Sequence, residues 1–282
     1  MGEQNEITDY VLTNIDSYEK LNTPNKIMGE EKFKTELENL LNRDDVNIKP
    51  INSKIFGCEQ NGTTLPFIVK APSFESNENP EDSAKSCLES NKKHIELLGA
   101  EFVEEISPIR ITNPKSVEAI KTSLTTGMNE FILPPETIDK IKEMSSYDVF
   151  AQDRRDVQNG VCIWEYIIRN YDTMEPEMKT GLTTLIERLR DSANQGYVFD
   201  LPTFPTSDKP MTQKNWDNLI VDREGPTFID SSTIWKYQPG EKIESGLIAL
   251  GAQISLDLLN KKTTPEEAYT TMKQESKRLS QP

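Results

Sequence analysis

Apolar residues recur at helical spacing at the front of the chain. Ile7, Val11, Leu12 and Ile15 form one stripe within residues 6–20, and Phe33, Leu37, Leu40 and Leu41 form another within residues 30–43. Spacings of three and four residues gather side chains on one face of an α-helix. Two helices are therefore predicted, the second ended by Asn42-Arg43-Asp44-Asp45, as a helical extension over residues 1–44. The pattern then becomes β-rich. Ile51–Cys58 is predicted as a strand, Gln60-Asn61-Gly62 as a turn, and Leu65–Val69 as the returning strand, ending on Lys70. Residues 74–83 predict a loop. Residues 81–98 predict a helix with Ala84, Leu88, Ile95 and Leu98 near one face and Gly99 as its stop. Phe102–Ile111 predicts a strand interrupted at Pro108. Residues 112–158 carry less pattern: Pro134-Pro135 opens a short helix, Glu136–Met144, and Asp153–Asp156 reads as a charged surface loop.

The second half begins with Val161-Cys162-Ile163-Trp164-Glu165-Tyr166-Ile167, whose apolar run predicts a buried strand. Residues 176–193 predict an amphipathic helix with Met178, Leu182, Leu185, Ile186 and Leu189 inward, ended by Asn194-Gln195-Gly196. Tyr197–Phe199 is a short strand leading to Asp200, and the Pro/Thr/Ser-rich residues 202–215 are a loop. Leu219–Val221 and Thr227–Ile229 are two strands joined by Asp222-Arg223-Glu224-Gly225 as a tight hairpin. The tail is helical over Leu247–Leu259 and again after Thr264-Pro265-Glu266-Glu267. That opening has a Thr cap, proline in the first turn and acids against the helix dipole.

A chain of 282 residues suggests one large domain or two packed lobes. Its formal net charge of -15 argues against nucleic acid or an anionic membrane as a partner. Cys58, Cys87 and Cys162 are odd in number and far apart, so neither a disulfide framework nor a metal-ligand spacing is present. His94 is the only histidine, which excludes His-rich metal sites; in a Lys-rich helix it reads as a surface residue. The polar, acidic start and the lack of a long apolar run predict a soluble, cytoplasmic protein in a reducing compartment.

One stretch carries candidate chemistry: Trp216-Asp217-Asn218-Leu219-Ile220-Val221, a turn, then Thr227-Phe228-Ile229-Asp230. An antiparallel hairpin brings the amide of Asn218 and the carboxylate of Asp230 to the same end. Two such oxygen donors suit Mg²⁺, which prefers hard ligands and bridges nucleotide phosphates. An ordinary surface hairpin with polar flanks is the plain alternative.

These residues resemble the protein-kinase-like superfamily, including its aminoglycoside-phosphotransferase branch, which places a metal-binding Asn before one strand and a metal-binding Asp after the next. The resemblance implies an α+β, two-lobed kinase-like fold. A small β-rich lobe with one helix would span about residues 45–165, with an insertion near 112–158, and a larger helical lobe residues 166–282. It implies ATP and Mg²⁺ as cofactors. Lys70 would hold phosphates, and Glu89 would orient Lys70 by an ion pair, with Glu96 and Glu81 as competitors. Ile163–Ile167 would be the strand and hinge joining the lobes, with backbone groups of Glu165 and Ile167 on adenine and Trp164 at the depth of the pocket.

Asp200 would be the acid that accepts the proton of the acceptor hydroxyl, with Asp208 and Asp217 as alternatives. The sequence departs from the family's pattern: no His precedes Asp200, the gap from Asp200 to Asn218 is much longer than usual, no glycine-rich phosphate loop is evident, Ser231-Ser232 follow Asp230, and no long activation segment comes after them. The implied activity is transfer of the γ-phosphate to a hydroxyl of a small molecule or protein. The alternative is an inactive pseudokinase that binds nucleotide or protein without turnover.

Overall fold

The computed structural model describes residues 31–52, 54–72, 80–126, 133–153, 161–201, 218–222 and 225–279. The helix expected over residues 6–20, the loop over 202–215 and the turn residues 223–224 lie outside them. The protein is α+β, and its contacts divide into two units: Met1–Glu89 with Glu104–Arg154, and Ser90–Val103 with Arg155–Pro282.

In the first unit Asn61 and Gly62 have φ of 50° and 82°, the left-handed pair that a two-residue hairpin turn needs. They join β2 (Ile55–Gln60) to β3 (Thr63–Lys70). With β1 (Val46–Pro50), β4 (Ser107–Ile111) and β5 (Tyr147–Asp153) these strands form an antiparallel sheet of order β1-β2-β3-β5-β4. The register stacks apolar pairs on one face: Ile48 against Cys58, Phe56 against Val69, Val69 against Ala151, Ile109 against Val149. These residues are buried with Leu37, Leu40 and Leu41 of helix α1 (Glu31–Leu41). Val117, Ile120 and Leu124 of helix α3 (Pro114–Thr125) and Ile141 of α4 (Pro135–Glu143) join the same core. Each fully buried branched side chain contributes roughly 1.5–3 kcal/mol. Helix α2 (Pro80–Leu98) begins in this unit, where Cys87 packs with Phe150 and Ile106 in a separate cluster.

Two strand expectations need correction. The strand predicted from Ile51 starts at Ile55, because Ile51 is 56% exposed and its amide closes a turn onto the Ile55 carbonyl. β1 and β5 were not predicted, and β5 lies inside the span read as an insertion. Yet β5 sits between β3 and β4, with Tyr147, Val149 and Ala151 inward. The prolines fit sheet rules: Pro108 is on edge strand β4, and Pro66 falls beside the irregularity in the β2–β3 pairing between Gly57 and Glu59.

The second unit is built on α6 (Pro176–Asn194) against α7 (Ile243–Leu259). Leu182, Leu185, Ile186 and Leu189 form the buried stripe of α6. α7 is apolar around much of its circumference and correspondingly buried, with Ser255 satisfied by the Gly251 carbonyl at 2.7 Å. α8 (Pro265–Leu279) opens with a reciprocal capping box: the Glu267 amide donates to Thr264 Oγ1 and the Thr264 amide to Glu267 Oε2. Strands β6 (Val161–Cys162), β8 (Leu219–Asp222) and β9 (Gly225–Phe228) form one small sheet. β7 (Tyr197–Phe199) pairs with β10 (Ile234–Lys236) in another.

The strand predicted over Val161–Ile167 is mostly helix. β6 ends at Cys162, and α5 runs Ile163–Arg169. A short all-apolar run suits a strand or a buried helix equally. The helical signal was Glu165 and Arg169, four apart, which form an ion pair while Ile163, Trp164 and Ile167 face the core.

Gly196 marks the turn between α6 and β7. Its φ is +89°, and a Cβ there would lie 2.1 Å from the Tyr237 carbonyl oxygen. Gly196→Ala is expected to destabilise the second unit by about 2 kcal/mol through left-handed strain and this collision. All three tryptophans, Trp164, Trp216 and Trp235, fall within Arg155–Pro282. Tryptophan fluorescence during urea unfolding therefore reads that change in this unit; an unshifted midpoint contradicts it.

Candidate functional site

The β8–β9 register pairs Leu219 with Phe228, which sets Asn218 across from Ile229. The Ile229 amide donates to the Asn218 carbonyl at 2.9 Å. Asp230 is the next residue, so the amide and the carboxylate leave the same end of the hairpin. Asn218 Nδ2 donates to the backbone carbonyl of Asp200 at 2.6 Å. A carbonyl only accepts, which fixes the amide orientation and turns Oδ1 away from Asp200. The β7–β10 pair completes the arrangement: Phe199 faces Ile234, so Asp200 and the Asp230–Thr233 connection lie at one end of that pair. Three stretches of chain around residues 200, 218 and 230 thus converge within the second unit.

These groups differ in exposure. Asp200 is exposed, while Asn218 and Asp230 are half-buried. Asp230 Oδ1 accepts from the Ser232 amide at 3.3 Å, a long bond. Ser231 is buried, and its Oγ accepts from Asn91 Nδ2 at 2.6 Å. Among the described residues, no three His, Cys, Asp or Glu side chains gather to hold a metal. A cation here would have Asn218 Oδ1 and the Asp230 carboxylate, with water and phosphate oxygens completing its shell. That donor set fits Mg²⁺, which is commonly held by one or two protein oxygens.

Lys70 ends β3 in the first unit and is half-buried. Its register partner is Phe150, so it lies on the sheet face where Phe150 packs with Cys87 of α2. Glu89 does not pair with it. The Glu89 side chain is 69% exposed, and its carboxylate is 3.9 Å from Lys85 one turn back. Cys87 and Ser90 form the inward face of α2 there, which turns residue 89 to solvent. Competitor Glu96 is likewise exposed and bonds Lys93 at 2.7 Å.

The adenine contacts expected of a strand are not built by Glu165 and Ile167. They belong to α5, where Ile167 is buried and its amide enters the helical ladder, while Trp164 packs into the core of the second unit. Asp208 and Asp217 lie outside the described residues. A groove of about 520 Å³, lined by Asn194, Gln195, Lys236, Tyr237, Gln238, Pro239 and Glu241, opens at the other end of the β7–β10 pair and contains none of the candidate acids.

No family model matches the chain, and no curated protein matches its sequence. Among the described residues no helix is long and apolar enough to cross a membrane.

The sequence reading missed one part of the site. His94, expected on the surface, is fully buried. The inward face of α2 in the second unit is Ser90, Asn91, His94 and Leu98, rotated from the apolar stripe the sequence suggested. Spacing by three and four was the available signal, hidden because most of that face is polar. His94 Nδ1 donates to the Ser90 carbonyl at 2.9 Å, since a carbonyl accepts only. Nε2 then carries a buried lone pair without a hydrogen-bond partner. Burial pushes the imidazole down to about 4, although the Ser90 carbonyl and the Asp230 charge pull the other way.

Proposed function

We propose that the chain is an ATP- and Mg²⁺-dependent phosphotransferase on a two-lobed kinase-like fold, acting on a hydroxyl of a small molecule or protein. The observation that carries the reading is the hydrogen bond from Asn218 to the Asp200 carbonyl, on the hairpin end that also delivers Asp230. It supports Asp200 as the acid beside the proposed metal-binding pair.

Bound Mg²⁺ supplies charge neutralisation on phosphate oxygens. In this reading Asn218 and Asp230 hold it through oxygen. Lys70 neutralises further phosphate charge. Asp200 would accept the proton of the acceptor hydroxyl as that oxygen bonds to the γ-phosphorus and the bond from this phosphorus to the bridging oxygen breaks, with ADP as the leaving group. Asn218 has two tasks: Oδ1 serves the metal, and Nδ2 fixes the backbone that carries Asp200. Placement and charge do the work, with no covalent enzyme intermediate.

Melting with Mg²⁺ and ATP tests the reading. At ligand concentrations about 100-fold above Kd, native-state binding adds about 2.7 kcal/mol. That raises the melting temperature by roughly 5–10 °C for a chain of this size. Lys70→Met is expected to remove most of the shift, and radiolabelled transfer to a panel of hydroxyl acceptors follows turnover. No thermal response to any nucleotide, with or without Mg²⁺, ends the proposal. A second reading, the pseudokinase, is favoured by the outward placement of Glu89 and its contact with Lys85. A clear Mg-ATP shift without transfer to any acceptor decides for it.

A further inference from the structure

Two buried polar side chains on one turn of α2 reach the residues beside both candidate acids. Asn91 is 3% exposed and donates to Ser231 Oγ, next to Asp230. His94 is fully buried, edge-on to Phe199 at 5.3 Å and tilted against Phe228 at 4.8 Å between ring centroids. Phe199 directly precedes Asp200, and Phe228 lies two residues before Asp230. Apolar residues at 91 and 94 would pack here without the cost of desolvating polar atoms. Buried polar groups that persist against that cost fix geometry: a hydrogen bond has one acceptor and one direction, while an apolar contact slides. The bond from the Ser232 amide, at 3.3 Å, lies just beyond the usual range and holds the Asp230 turn only weakly.

We infer that Asn91 and His94 form a latch on α2 that holds the Asp230–Ser232 turn and the end of β7 in fixed register. Asn91 pins the turn from behind through Ser231. His94 is the wedge beneath Phe199 and Phe228, so the strand ends before the two acids rest on one ring. Both are positioning residues. What the positioned acids then do rests on the phosphotransfer reading; the latch itself does not.

Amide hydrogen exchange on the full chain separates the two ideas. In Asn91→Ala the Ser232 amide is expected to exchange about tenfold faster, as suits the loss of one buried hydrogen bond. The Ile229 amide, held by the Asn218 carbonyl, is expected to keep its protection. Ser231→Ala should reproduce this, the double variant should add nothing, and Ser231→Thr, which keeps the hydroxyl, should exchange like the parent. In the same variants the Mg²⁺ concentration that gives half the ATP-induced melting shift should rise about tenfold, with the shift restored at saturating Mg²⁺. Unchanged Ser232 exchange in both alanine variants, or equal loosening of Ile229 and Ser232, overturns the latch. The exchange pattern in a chain whose melting ignores Mg-ATP upholds the latch and removes the phosphotransfer reading.

Discussion

Asp230→Asn is expected to leave the protein folded and to lower phosphoryl transfer by about 10²- to 10³-fold, the range seen when one preorganised electrostatic group is removed from a reacting centre. The substitution preserves shape. Asn can still accept from the Ser232 amide through its carbonyl oxygen, and the hairpin bond between Ile229 and Asn218 is untouched. What changes is charge: a carboxylate that can share a hard cation becomes an amide with one oxygen and two donors. Tryptophan-monitored unfolding should therefore move by under about 1 kcal/mol, as for substitutions that create no cavity and bury no new charge. Mg²⁺-dependent stabilisation by ATP should largely vanish.

Asn218→Asp makes an informative companion. It keeps an oxygen ligand and gains charge, but it loses the donor to the Asp200 carbonyl and sets a carboxylate against it. If metal ligation is the sole task of residue 218, this variant retains activity. If the bond to the Asp200 carbonyl holds that acid in place, it is inactive while still responding to Mg²⁺. Transfer rates unchanged in Asp230→Asn, with Lys70→Met inactive, would move the metal to other residues and sink the hairpin as its site.

Much of the architecture was legible because local rules and tertiary packing agreed. The Asn61-Gly62 turn, the Gly99 and Gly196 helix stops and the Thr264 capping box each solve a backbone problem within a few residues, so sequence alone locates them. The Asn218–Asp230 hairpin was equally visible, because antiparallel pairing across a short turn leaves one register. Failures came where the deciding term was long-range. β5 takes its identity from filling the gap between β3 and β4, and Tyr147–Asp153 says little of that by itself. Ile163–Ile167 is apolar enough for either element, and the helix follows from burying Trp164 in the second core. His94 and Asn91 defeated the apolar-stripe rule outright. Their burial depends on partners some 105 to 140 positions downstream, Phe199, Phe228 and Ser231, which no window of a dozen residues contains. Glu89 shows the converse: the family resemblance implied a partner for Lys70, but the phase of the helix turned it to solvent.

Acidification from pH 7 to pH 4 is expected to cost the second unit about 3 kcal/mol through His94 alone, a large share of the ~5–15 kcal/mol that holds a domain together. In the unfolded chain this imidazole titrates near 6.5; in the folded chain burial holds it to about 4. Below pH 6.5 the unfolded state takes up a proton that the folded state refuses, so stability falls as pH falls. The loss accumulates between about 6.5 and about 4 and then stops growing from this group. Other groups act in the background. Asp45, held below its ordinary value of 3.8 mainly by its hydrogen bond from Gln60, loses most of its contribution only below that range. Glu105, raised by burial, favours the folded state as pH falls. Both belong to the first unit, and neutralising a chain of net charge -15 relieves repulsion generally. A difference measurement removes these terms. His94→Leu fills nearly the same volume, cannot titrate and leaves no buried lone pair. Urea unfolding followed by tryptophan fluorescence at pH 7, 5.5 and 4.5 should show the parent losing stability to the variant by about 1.4 kcal/mol per pH unit below 6.5. Because the chain has one histidine, its ring resonances in carbon-edited NMR are unambiguous, and they should stay those of a neutral Nδ1–H imidazole down to about pH 5. Parallel stability curves for the two proteins, or a ring that titrates near 6.5, would mean that water reaches His94. The wedge beneath Phe199 and Phe228 would then be absent in solution, and Asp200 and Asp230 would have to be held in register by the hairpin alone.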